Sequence, residues 1–158
     1  MRVQIAEYRD VRSWLDLAAE VEWLFGDMLG DPDFYQALLR YIGRATAFCV
    51  REGDGPAGAP LVGGMLFSPG RPDRPEYRIS WLSVTEKCRR RGVGRLLVQH
   101  AFTLVEPPAV LAVGTFGEDI EPGRPARHLY ARMGFHPAEV LPPGRDGGSR
   151  QVYRREFR

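Results

Sequence analysis

A run of positive charge meets a glycine-rich turn near the middle of the chain. Arginines fill positions 89–91, and Gly92-Val93-Gly94 follows directly. Apolar side chains at helical spacing continue from Val93 to Val105, so the turn opens a helix. The first N–H groups of a helix have no internal acceptor and lie at the positive end of its dipole, and glycines let a ligand come close. The turn is therefore expected to bind an anion, and its arginines favour a diphosphate over a single carboxylate.

Two common phosphate-binding patterns are excluded by the residues of this turn. The chain has no G-x-x-x-x-G-K-[ST] sequence, so the turn is not a P-loop. The dinucleotide-binding pattern needs a third glycine where Leu97 stands, so that pattern fails as well. What is left is R-x-x-G-x-G after a strand, beginning at Arg89.

A tyrosine further along the chain is the second candidate for chemistry. Tyr130 lies in the segment 126–135, ARHLYARMGF. A phenol with a pKa near 10 can donate a proton or a hydrogen bond to a developing anion. Tyr130 also has helical spacing with Ala126, Leu129 and Met133, so it could equally be a core aromatic residue.

Together the two motifs resemble those of the GNAT superfamily of N-acetyltransferases, which are Q/R-x-x-G-x-G/A and A-x-x-x-Y-x-x-x-G-F. Their order and the elements between them also fit, and the resemblance covers nearly the whole chain. It implies direct transfer of an acetyl group from acetyl-CoA, the cosubstrate, to a primary amine of a small molecule or a protein, without a metal. A non-catalytic acyl-CoA-binding or regulatory domain on the same fold is the alternative. By this resemblance, the residues that bind acetyl-CoA are Leu82, Ser83, Val84, Arg89, Arg90, Arg91, Gly92, Val93, Gly94 and Arg95.

The resemblance also assigns one of the two proton transfers that the reaction needs. It makes Tyr130 the general acid for the leaving thiolate. The base that takes the amine proton is open: Glu118 is one candidate, and Asp119, Glu121, Glu22 or a water molecule are others. One departure is that many family members have an asparagine seven residues before the tyrosine, where this chain has Gly123. A pantetheine contact is therefore expected to be replaced or missing.

The pattern of apolar residues predicts the elements that must position these groups. The apolar run 109–116 is typical of a strand covered on both faces, so 77–84, the helix after the turn and 109–116 should form a parallel unit. With the resemblance, the fold class is α/β (α+β): a mixed, mostly antiparallel sheet of about seven strands, four helices and a central parallel pair splayed at the acyl-CoA cleft. Strands are predicted at 3–8, 45–51, 61–68, 77–84, 109–116, 135–141 and 151–157. Helices are predicted at 10–25, with Asp10 as the cap of this first helix, and at 32–43, 93–105 and 125–133, and a mobile connection is predicted at 142–149.

Composition limits the remaining possibilities. A length of 158 residues predicts a single domain, 1–158. The net charge of +2 is too small to indicate nucleic acid or a membrane surface, although the arginine run alone would suit a basic nucleic-acid module. Two cysteines form no disulfide framework and no signal peptide is recognised, so a cytoplasmic protein is expected. The histidines lack metal-binding spacing, so no metal is expected. The oligomeric state is not fixed by the sequence, and a homodimer is one of the states open to it.

Overall fold

A computed structural model describes residues 1–26, 29–73, 75–143 and 147–158, with every side chain in helices and strands except that of Phe25. These residues form seven strands and four α-helices, which confirms the predicted fold class. The predicted mobile connection 142–149 contains residues 144–146, which lie outside this description. The elements are β1 Gln4–Ile5, α1 Val11–Phe25, α2 Pro32–Gly43, β2 Ala47–Arg51, β3 Leu61–Ser68, β4 Tyr77–Val84, α3 Val93–Thr103, β5 Ala109–Phe116, α4 Arg124–Arg132, β6 His136–Leu141 and β7 Arg150–Phe157.

The strands form one sheet in the order β1-β2-β3-β4-β5-β7-β6. Among the described strands, β4 and β5 are the one parallel pair, and the other pairs are antiparallel. The chain passes from β4 through α3 to β5, as the glycine turn and the apolar run 109–116 predicted. Parallel neighbours end at the same edge of a sheet, so the segments that follow β4 and β5 lie side by side.

The helices cover the two faces of this sheet. On one face, Leu97 and Ala101 of α3 pack into a core with Leu111 and Val113 of β5. On the other face, α1 and α2 pack through a second cluster that includes Trp14, Leu38, Cys49 and Leu66. Among the described residues, no helix has the length and apolar character that crossing a bilayer requires.

Two adjacent glycines in β3 let the helices on both faces approach the sheet closely. A Cβ atom on Gly63 would lie 2.6 Å from a side-chain carbon of Val93, at the start of α3. A Cβ atom on Gly64 would lie 2.9 Å from the ring of Trp14 in α1. Because successive residues of a strand face opposite sides, these two positions bring α3 and α1 against opposite faces of the same strand.

Two local predictions at the N-terminus need correction. The first strand covers only Gln4–Ile5, because Tyr8–Asp10 forms a 3-10 turn. Asp10 was expected to cap α1 but makes no capping hydrogen bond there. Its carboxylate is fully buried and instead accepts hydrogen bonds from Arg51 and from the backbone N–H of Gly58 and Glu7.

Candidate active site

The two central strands separate halfway along their length. Pairing between β4 and β5 covers only residues 77–79 and 111–113. Beyond that point β4 stays paired to β3 as far as Val84, and β5 stays paired to β7 as far as Phe116. Each strand therefore has one bonded edge and one edge that faces the gap. β4 and β5 are therefore the splayed central pair that was predicted for the fold.

A β-bulge lies where the strands separate. Leu66 is opposite Trp81 and Phe67 is opposite Ile79, so Ser80 is an extra residue in β4. A bulge bends its strand and increases the local twist, which accounts for the divergence from β5. It also directs Ser80 and Trp81 to the same face: the ring of Trp81 lies 5.7 Å from that of Trp14, on the side of α1 and α2.

The gap forms part of a cleft of about 1420 Å³ that crosses the sheet. It is lined by the end of α1, by β4, β5 and α4, and by the turn that opens α3. We call this turn, residues 89–95, the arginine loop. Of the predicted acetyl-CoA-binding residues, those that line it are Leu82, Ser83, Val84, Arg89, Arg90, Gly92, Val93, Gly94 and Arg95. Arg91 is exposed on the same loop but is not among the lining residues.

The arginine loop has the backbone of an anion-binding turn. Arg90 and Gly92 both have positive φ angles, 65° and 84°. A Cβ atom on Gly92 would meet no other atom within 4 Å, so the space beside this residue is open. The first helical hydrogen bond of α3 runs from the N–H of Leu96 to the carbonyl oxygen of Gly92, at 2.9 Å. The N–H groups of residues 93–95 precede it and are left for a ligand.

The charge of this loop is not neutralised by any of the described residues. Four exposed arginines lie here, at positions 89, 90, 91 and 95. Within the described ranges, no carboxylate lies at ion-pair distance from any of them. Uncompensated guanidinium groups beside free backbone N–H groups favour a multiply charged anion.

Tyr130 lies deeper in the same cleft. Its side chain is only 3% exposed and packs edge-on against Phe135, with ring centroids 5.5 Å apart. Burial raises the pKa of the Tyr130 phenol above its ordinary value. In the part of the chain that the structure describes, no group forms a hydrogen bond with its hydroxyl. A firmly protonated donor that has no partner among the described residues therefore lines the cleft.

The candidate bases lie in different surroundings. Glu118 and Asp119 are exposed and are not among the lining residues, and the carboxylate of Asp119 accepts a hydrogen bond from Ser149. Glu22 accepts a hydrogen bond from the backbone N–H of Leu29, at 3.0 Å. Glu121 does line the cleft and forms an exposed ion pair with Arg124, at 3.5 Å. No group of three or more His, Cys, Asp or Glu residues in the described ranges could hold a metal ion.

Comparison with known protein families identifies the family of this chain. The family model of the GNAT acetyltransferases matches residues 8–135. This chain belongs to the GNAT acetyltransferase family. Among curated protein sequences, none matches the chain.

Solved structures show the GNAT fold along the whole chain. A GNAT acetyltransferase from Bacillus cereus has a TM-score of 0.71 and 16% identity, covering 99% of this chain and 98% of that one. Naa20 from Chaetomium thermophilum, in complex with a bisubstrate analogue, has a TM-score of 0.72 and 15% identity, covering 99% and 87%. The GNAT-like decarboxylase GphF, in complex with isobutyryl-CoA, has a TM-score of 0.74 and 14% identity. At these identities the likeness establishes the GNAT fold and not the reaction.

The glycine that replaces the GNAT asparagine has a steric reason here. A Cβ atom on Gly123 would lie 2.5 Å from the Cβ atom of Phe116 and under 3.0 Å from two of its ring carbons. The backbone of Gly123 has φ −83°, which any residue can adopt, so the close approach alone excludes a side chain. Phe116 fills the space that an asparagine would need.

Arg127 also shapes this GNAT site, although it was not among the predicted site residues. The side chain of Arg127 is 9% exposed and donates hydrogen bonds of 2.8 Å to the carbonyl oxygens of Gly117 and Ile120. It thereby holds the loop between β5 and α4 at the rim of the cleft. The spacing of Arg127 could have indicated this role. Arg127 lies three residues before Tyr130, so both side chains lie on the same covered face of α4.

Proposed function

We propose that this protein transfers an acetyl group from acetyl-CoA directly to a primary amine of a small molecule or a protein. The observation that supports this most is one continuous cleft. It connects the arginine loop with the hydroxyl of Tyr130, neither of which has an ionic or hydrogen-bonding side-chain partner among the described residues. It also passes between the unpaired edges of β4 and β5. The family membership supports an acyl-CoA-dependent acetyltransferase, and the residues that line the cleft support the positions proposed below for each part of the reactants.

The donor lies along β4 in this proposal. The backbone of Leu82, Ser83 and Val84 pairs with the pantetheine arm as if it were an added strand. The pyrophosphate is held by the N–H groups of residues 91–95 and by the surrounding guanidinium groups. Arg91 takes part through its backbone N–H, which does not require its side chain to line the cleft.

Tyr130 stabilises the leaving thiolate. A thiol has an ordinary pKa of about 8.5, which lies below the raised pKa of the phenol, so the phenol keeps its proton and donates a hydrogen bond to the sulfur as negative charge develops there. A hydrogen bond to a charged group contributes about 1.5–3 kcal/mol, and in the buried environment of Tyr130 this gain is concentrated in the transition state.

The amine must lose a proton before or during attack. With an ordinary pKa near 10.4, an alkylamine is neutral only about 0.04% of the time at pH 7, a cost of roughly 4.6 kcal/mol. Glu118 is one of the candidates for the base that takes this proton. Because Glu118 lies outside the cleft lining, the amine proton would reach it through a water molecule.

The decisive experiment is a screen for free CoA release from acetyl-CoA with a panel of amines and peptides. With an accepted amine, Tyr130→Phe is expected to lower kcat about 10²-fold while acetyl-CoA still binds. Tyr153→Phe is the matched control, since Tyr153 packs against Tyr130 at 6.3 Å but does not line the cleft. Because burial raises the pKa of Tyr130, wild-type turnover should not decline on the alkaline side below about pH 10.

Two results would contradict parts of this proposal. Unchanged turnover in Tyr130→Phe would leave Tyr130 as a packing residue. Tight acetyl-CoA binding without CoA release across the whole panel would favour the non-catalytic acyl-CoA-binding domain. The cytoplasmic location and the homodimer stay predictions, to be tested by cell fractionation and by light scattering of the purified protein.

A further inference from the structure

Three hydroxyl groups from separate elements meet beside the cleft. The Tyr41 Oη lies 2.6 Å from the Ser68 Oγ and donates a hydrogen bond of 2.8 Å to the Ser80 Oγ. The two serine oxygens are 2.7 Å apart. Tyr41 belongs to α2, Ser68 ends β3, and Ser80 is the bulge residue of β4. We call these three residues the hydroxyl triangle.

The direction of the hydrogen bonds within the triangle leaves a free acceptor. A hydroxyl has one donor and two lone pairs. Since Tyr41 donates to Ser80, a closed ring requires that Ser80 donates to Ser68 and Ser68 donates to Tyr41. Each proton is then used, and each oxygen keeps one lone pair. Ser80 is exposed and lines the cleft, so its remaining lone pair is accessible to a bound molecule.

The triangle lies on the opposite side of the sheet from Tyr130. The bulge directs Ser80 to the face covered by α1 and α2, whereas Tyr130 packs with Phe135 and Tyr153 in the core of the α3 face. The cleft joins the two faces through the gap between β4 and β5. If Tyr130 serves the leaving sulfur, the attacking amine has room on the Ser80 side.

We propose that Ser80 accepts a hydrogen bond from an N–H of the acceptor amine, and that Tyr41 and Ser68 are positioning residues that fix the direction of its hydroxyl. A neutral primary amine has one lone pair and two N–H groups. When the lone pair points at the acetyl carbonyl carbon, the N–H groups point away and need acceptors. The inference rests on the proposed function, because it assumes acetyl-CoA in the cleft.

The test uses two CoA thioethers as probes and titration calorimetry on the full chain. One probe links the sulfur through a methylene carbonyl to an alkyl amide, and the other is the corresponding ester with oxygen in place of N–H. Wild-type protein should bind the amide better, and Ser80→Ala should reduce the amide-to-ester affinity ratio by about fivefold, within the range of neutral hydrogen bonds. Comparing ratios cancels intrinsic differences between the two probes.

Three further variants separate this role from simple structural support. Ser80→Thr retains a hydroxyl and should keep the wild-type ratio. Tyr41→Phe should lower the ratio about twofold, since it frees the Ser80 hydroxyl to rotate, and it carries the test if Ser80→Ala does not fold. Tyr35→Phe, on the same helix but without a hydrogen-bonded hydroxyl in the described residues, should match wild type.

Each outcome is decisive. An unchanged ratio in Ser80→Ala, with both probes still bound, overturns the role of Ser80 and leaves the proposed function intact. Failure of wild-type protein to bind acetyl-CoA and both probes overturns the proposed function, and the inference falls with it. A reduced ratio in Ser80→Ala and a retained ratio in Ser80→Thr support it.

Discussion

Replacing Gly92 with glutamate tests the anion site most directly. Gly92 has φ 84°, lines the cleft and has open space where a side chain would begin. Gly53→Glu is a matched control. Gly53 has φ 59° and equally open space, but it lies in the turn between β2 and β3, outside the cleft. The two variants share the backbone strain and the added charge and differ in their position relative to the cleft.

The backbone strain, the ligand-induced shift in Tm and the charge repulsion each have an expected size. A left-handed residue other than glycine costs about 1–2 kcal/mol. For 158 residues the unfolding entropy is about 0.33 kcal/mol per kelvin, so each variant should lower Tm by about 3–6 °C. Acetyl-CoA at a hundred times its Kd stabilises by about 2.7 kcal/mol, a rise of about 8 °C. A carboxylate 4 Å from one phosphate charge opposes binding by about 4 kcal/mol near a protein surface, which exceeds that gain.

The assay is thermal unfolding with and without acetyl-CoA. Gly53→Glu should start from a lower Tm and keep the full ligand shift, whereas Gly92→Glu should show almost none. A full shift in Gly92→Glu would refute the assignment of the arginine loop as the pyrophosphate site. Loss of the shift in Gly53→Glu as well would show that the effect does not come from the loop.

Two further substitutions test a close packing contact and a buried ion pair. Gly123→Ala should destabilise the protein by about 1–3 kcal/mol in urea unfolding, because its Cβ would overlap Phe116, and unchanged stability would contradict the overlap. Asp10→Asn should cost about 3–5 kcal/mol at pH 7, because it leaves buried Arg51 without its counter-ion. Burial would raise the pKa of Asp10, but its hydrogen bonds and Arg51 lower it overall, so the wild-type advantage should be complete above about pH 3.9 and shrink as pH falls below that value. A difference that is equally large at pH 7 and pH 3 would contradict the buried pair.

Local patterns were enough to predict most of the elements and the turn that opens α3. The apolar run 109–116 indicated a central strand, and the glycine turn indicated the start of α3. The bulge was not predicted, although it leaves a trace in β4. Tyr77 and Ile79 alternate with polar residues, and the apolar positions then move by one to Leu82 and Val84. That change of phase is what an extra residue at 80 produces.

Other features depend on contacts between distant elements, so no local pattern could predict them. The hydroxyl triangle joins Tyr41, Ser68 and Ser80, whose types are ordinary for a helix, a strand end and a strand. Gly123 is explained only by the position of the Phe116 ring. Asp10 was a reasonable helix cap by type, yet Arg51 and Gly58 take its carboxylate because the chain folds back over it.

One inserted residue accounts for several properties of this site. By adding Ser80 to β4, the bulge ends the pairing with β5 and opens the cleft. It also shifts the phase of the strand, so that Leu82 and Val84 face the α3 side while Ser80 and Trp81 face α1 and α2. The backbone beyond the bulge is left to pair with a ligand, and the bulge residue itself faces the expected acceptor side. The proposed cofactor binding and the proposed acceptor positioning thus both depend on a single feature of β4, which is why the two proposed substrate sites lie in one cleft.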